Sequence, residues 1–111
     1  MRNIVVCMML VSAFSIGSAR AQEYTAIGAG ADSCGTWTAN RSSPNGNERI
    51  AGDQWVLGFL SGIGFMGDMT IDPLNGMDAQ GVWAWIDNYC RANPIDEIAD
   101  AAGKFYLAHP R

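Results

Sequence analysis

Two cysteines, Cys34 and Cys90, stand near opposite ends of the stretch that follows an apolar leader, and their pairing constrains the fold more than any other feature. The leader sets the chemistry of that pair. Met1-Arg2-Asn3 is a short basic start, the run from Ile4 to Ile16 is apolar, and Gly17, Ser18 and Ala19 are small. Ala19-Arg20-Ala21 supplies an A-x-A cleavage pattern, so residues 1–21 read as a secretory signal peptide. The apolar run is shorter than the roughly 20 residues that cross a bilayer, so no membrane association is expected after cleavage. Cleavage after Ala21 leaves Gln22 to Arg111, 90 of the 111 residues, in an oxidising compartment taken to be the periplasm, and Cys7 goes with the leader.

Cys34 and Cys90 are therefore expected to form a disulfide. Closing the loop from residue 34 to residue 90 is worth about 4 kcal/mol in the chain-entropy account of such bonds. For a chain this short that is a large share of total stability, and one modest core is all it can bury. Neither cysteine lies in a C-x-x-C and His109 is the only histidine, which argues against a metal or redox role for the pair. Past residue 21, five basic residues face eleven acids, a net charge of −6. Such a surface repels phosphate backbones, so no nucleic-acid partner is expected.

Along the chain, residues 22–32 are rich in Ala and Gly and predict an irregular N-terminal arm, and residues 33–111 predict a single helical domain. Asp32 or Ser33 caps a short helix that carries Cys34 and Trp37 on one face. Arg41 to Asn47 is loop by its turn residues. A second helix starts near Glu48 and is apolar over so wide an arc, from Ile50 to Ile63, that it is expected to be central. Gly58 and Gly62 lie four apart within it. Glycine in a helix interior costs about 1 kcal/mol relative to alanine, so the pair predicts close approach of another helix backbone.

From Gly64 to Asp78 the pattern breaks into loop chemistry with Met66, Met69 and Met77 interspersed. Asp78 caps a third helix whose apolar positions Val82, Trp85, Ile86, Tyr89 and Cys90 follow helical spacing. Pro94 ends it near Asn93. Asn93 as cap, Pro94 at the first position, and Asp96 and Glu97 in the first turn predict a fourth helix with Ile95, Ile98, Ala99, Ala102, Phe105 and Tyr106 as its buried stripe. The expected fold is all-α, a small four-helix orthogonal bundle with one disulfide.

Chemistry-bearing motifs are scarce. There is no G-x-S-x-G, no H-E-x-x-H and no phosphate-binding glycine loop, and His109 lies near the C-terminus, where side chains are usually solvated. Asp68, Asp72, Asn75 and Asp78 do not follow the spacing of a calcium loop. No enzyme, cofactor or metal is expected. Trp83 falls off the Val82 and Ile86 face and is expected to be exposed; with Met66, Met69 and Met77 it forms the candidate surface for a protein partner.

A leader, Ser33-Cys34, Trp55-Val56-Leu57-Gly58-Phe59 in a central helix, and Tyr89-Cys90-Arg91-Ala92-Asn93-Pro94 before a closing amphipathic helix together resemble the small periplasmic HdeA/HdeB family of acid-stress chaperones. The resemblance spans roughly Ser33 to Leu107. It implies an all-helical fold with one disulfide, a homodimer at neutral pH, and loosening in acid that exposes apolar surface to unfolded clients. This chain differs from that family in being rich in Gly and Trp and poor in Lys. Helix-start acids such as Asp96 and Glu97 gain from the macrodipole near neutrality and lose that gain in acid, which is compatible with an acid switch. Small immunity proteins that block secreted toxins share the spacing and helix order, and they would use the loop from Gly64 to Asp78 and Trp83 instead.

Overall fold

The structure, a computed structural model, describes residues 24–67 and 72–109. The expected signal peptide and Met69 lie outside the described residues. Four helices follow one another: α1 Cys34–Arg41, α2 Gly46–Met66, α3 Ala79–Ala92 and α4 Ile98–Ala108. The fold is all-α with one disulfide. Among the described residues no helix is long and apolar enough to cross a membrane.

The covalent tie and the helix starts meet at one place. Ser33 caps α1 by accepting from the Thr36 N–H at 3.1 Å. The next two N–H groups have no partner within a helix, and here the Cys34 N–H donates to the Asp96 carbonyl at 2.7 Å and the Gly35 N–H to the Pro94 carbonyl at 2.9 Å. In return the Ile98 N–H donates to the Asp32 carbonyl at 2.9 Å, and Ser33 and Glu97 form an isolated antiparallel bridge. Cys34 and Cys90, both fully buried, are joined with Cα atoms 4.7 Å apart.

This stitching corrects the expected start of α4. Pro94 and Ile95 lie in a turn, and the cap is Glu97, whose side chain forms a capping box with Asp100. The carbonyls of Pro94 and Asp96 satisfy α1, so that segment cannot enter a helix of its own. Ile95 is consequently 92% exposed, not part of the buried stripe. Asp78 caps α3 as its sequence predicts, accepting from the Gly81 N–H at 2.8 Å.

The core takes Cys34 and Trp37 from α1, Val56 and Leu60 from α2, Val82, Ile86 and Cys90 from α3, and Ile98, Ala101, Ala102 and Phe105 from α4. Trp85 stands edge-on to Phe105 at 5.5 Å and stacks on Tyr89 at 5.6 Å. His109 is not splayed into solvent. Its ring lies 4.5 Å from that of Phe105, and Nδ1 is 2.7 Å from the Phe105 carbonyl.

The stretch read as an irregular arm is described from residue 24 and has regular structure. It carries one turn of 3-10 helix, Gly28–Ala31, held to α2 by the Trp55 Nε1–H donating to the Ile27 carbonyl at 2.7 Å. A Cβ on Gly30 would lie 2.1 Å from the Trp55 ring, so the backbone runs directly over the indole. The absence of a side chain at Gly30 is what lets the arm approach so closely.

Candidate functional site

The apolar arc of α2 is wider than the other described residues cover. Gly52, Asp53, Val56 and Leu60 are its buried positions. A second stripe of Trp55, Phe59, Ile63 and Met66, four or three residues apart on the neighbouring face, remains in contact with solvent. Trp55 stacks on Phe59 with ring centroids 5.2 Å apart, and Tyr24 of the arm lies 6.0 Å from Phe59. The arm thus shields the first half of the stripe. Beyond Phe59, Ile63 is only partly buried against the core and Met66 is left exposed.

There Phe59, Gly62, Ile63 and Met66 of α2, with Gly67, face Tyr106 of α4 across a shallow groove of about 520 Å³. Met66 is 82% exposed, Phe65 beside it 74%, and Leu107 next to Tyr106 70%. Exposed apolar groups that cluster in this way mark interaction surfaces more than isolated ones do. The two glycines correct a sequence expectation. Gly58 and Gly62 are exposed, and a Cβ on either would meet nothing within 4 Å among the described residues, so no described helix backbone approaches them. Gly62 instead leaves the groove without a side chain at that point.

Of the candidate partner-binding residues, Met66 borders this groove. The α2 helix runs on through Gly64 and Phe65 to Met66, three residues further than the loop chemistry suggests. Met77 and Trp83 do not border the groove. Both are partly buried and packed against the core, so the expected exposure of Trp83 is corrected. Asp72 and Asp78 are committed to local backbone: Asp72 accepts from the Leu74 and Gly76 N–H groups at 2.9 and 2.6 Å, and Asp78 caps α3.

A second, polar feature joins α1, α2 and α3. The Arg41 guanidinium lies 4.0 Å over the Trp37 ring and pairs through Nη1 with Asp53 and through Nε with Asp87, each at 2.8 Å. Trp37 Nε1–H donates to the same Asp87 oxygen at 2.7 Å. Asp53 is the one buried charged side chain among the described residues, and burial raises its pKa above the ordinary 3.8 against the opposing pull of Arg41. This network escapes a reading that places Arg41 in a loop. The available signal is Asp53 itself, an acid three residues before Val56 on the core face, which requires a cation.

Compared with models of protein families, with curated proteins and with solved structures, the chain has no match.

Proposed function

We propose that the chain is a small exported binding protein, held by one disulfide, that takes up apolar segments of unfolded client polypeptides, as the resemblance to HdeA/HdeB acid-stress chaperones implies. The observation that carries this reading is the groove of Phe59, Gly62, Ile63, Met66 and Tyr106, apolar and open among the described residues. Methionine and aromatic side chains adapt to many apolar shapes, which suits clients of no fixed sequence.

Client binding of this kind needs no unfolding. That matters because Asp53 works against an acid trigger. Its raised folded pKa means that its favourable contribution is fully present below pH 3.8 and fades as pH rises through the folded value. At this residue acid favours the fold. A toxin-blocking role would rest on the loop from Gly64 to Asp78 together with Trp83, and the packing of Trp83 against the core favours clients over it.

The test is light scattering from a reduced, aggregating model client with the mature chain at pH 7 and pH 3. Suppression is expected, and Met66→Asp should weaken it severalfold while leaving the melting temperature unchanged, since Met66 supports no buried contact. No suppression at either pH would remove the chaperone reading.

A further inference from the structure

The chain is acidic, yet three of the four basic residues among the described residues, Arg41, Arg49 and Arg91, gather where α1, α2 and α3 meet. Here a cavity of about 310 Å³ lies between α2 and α3, bordered by Arg41, Arg49, Asp53, Gln80, Trp83 and Asp87. It does not belong to the apolar groove; the two share no residue.

Two of its bordering groups are buried hydrogen-bond donors with no acceptor among the described residues, Arg41 Nη2 and Trp83 Nε1. Buried donors of native proteins are ordinarily paired, so such a coincidence in one cavity calls for a partner. The contrast inside the molecule is direct. The indoles of Trp37 and Trp55 each reach an acceptor at 2.7 Å, while that of Trp83 has none among the described residues. Both carboxylates at the cavity, Asp53 and Asp87, already hold Arg41, and together they fix its guanidinium against Trp37. Arg49 makes no hydrogen bond or ion pair among the described residues. What the cavity offers a ligand is therefore three donor groups, two of them cationic, beside the buried Asp53 Oδ1, which meets only Arg41.

We infer that this cavity binds a small monocarboxylic acid, whose carboxylate accepts from Arg49 and from the buried N–H groups of Arg41 and Trp83. Guanidinium groups match the planar, two-oxygen acceptor of a carboxylate. The single charge matters, because a phosphate dianion would be repelled by Asp53 and Asp87. So does the size, which lies at the small end of ligand cavities and fits a compact acid better than a peptide.

The experiment follows the indole N–H resonances of the mature chain by 1H–15N NMR during titration with benzoate and N-acetylglycine, and with benzamide, N-acetylglycinamide and inorganic phosphate. The carboxylates should shift the Trp83 resonance saturably and leave that of Trp55 in place, with the amides and phosphate at least tenfold weaker. Arg49→Gln, at an exposed position, should weaken binding about tenfold with an unchanged circular dichroism spectrum, and so should Trp83→Phe, read by isothermal titration calorimetry because that variant lacks the reporting indole. Equal response to benzoate and benzamide, preference for phosphate, or a Trp83 resonance that does not move would overturn the inference. Should Trp83→Phe fail to fold, Arg49→Gln decides: unchanged carboxylate affinity in that variant refutes it.

Discussion

Alanine at Gly62 separates the groove from the helix contact that its spacing suggests. Gly62 lies inside α2, exposed, and a Cβ there meets nothing within 4 Å, so Gly62→Ala adds no clash. The substitution recovers the propensity difference between glycine and alanine in a helix interior, about 0.8–1.0 kcal/mol. In a domain of this size about 1 kcal/mol moves the melting temperature by about 4–8 °C. Gly58→Ala should behave alike. Two controls run the other way. At Gly52 a Cβ would sit 3.2 Å from the Trp37 ring, so part of the gain is lost to displacing that indole, and at Gly30 the contact of 2.1 Å with Trp55 forces the arm off α2. Gly30→Ala is expected to cost about 1–3 kcal/mol. Thermal melts followed at 222 nm, with urea midpoints as a check, measure all four. A lower melting temperature for Gly62→Ala would show that another backbone rests on this face, and the open groove would be lost as an explanation. Gly62→Leu extends the idea: it should keep the fold while filling the groove, so client suppression falls as stability holds.

Other perturbations test the polar contacts. Arg41→Met leaves Asp53 buried without its cation and should destabilise by about 3 kcal/mol in urea unfolding, whereas Asp53→Asn should stay within about 1 kcal/mol of the parent at pH 7, because burial already opposes its charge. The Tyr89 hydroxyl donates to Asp96 at 2.5 Å, a bond that pushes its pKa up to about 12 from 10.0. Its contribution to stability is complete below pH 10 and is lost as pH rises toward 12. Absorbance at 295 nm should show one of the three tyrosines ionising late, and Tyr89→Phe should abolish that step. Reducing the Cys34–Cys90 bond should lower stability by about 4 kcal/mol, read as the difference between urea midpoints with and without reductant.

The sequence carries the architecture where local signals and burial agree. Asp78 before a stripe ending in Cys90 marks α3 at both ends, and Ser33 marks the start of α1. It misleads where a long-range partner takes a backbone group that a local rule assigns elsewhere. Asn93-Pro94 with two following acids is a strong helix start, yet the Pro94 and Asp96 carbonyls are spent on α1. The site was half legible. Met66 could be singled out as an adaptable apolar group, but whether the stripe from Trp55 to Met66 is core or surface depends on what lies opposite it, and periodicity along one helix holds no such information. Gly58 and Gly62 illustrate the same limit, since small residues serve both a tight contact and an open one.

The bond between Cys34 and Cys90 has a mechanical consequence. A pull on the two ends of the described chain passes from the arm across the disulfide and into α4, bypassing α2 and nearly all of α3. The load falls on the arm's hold on Trp55 and on the stitches between residues 32–35 and 94–98. With the bond intact, the 56-residue separation between the cysteines stays out of the extension, withholding about 200 Å of contour length. The helix that bears the groove would therefore be shielded from tension transmitted along the chain, even while its neighbours are being drawn away from it.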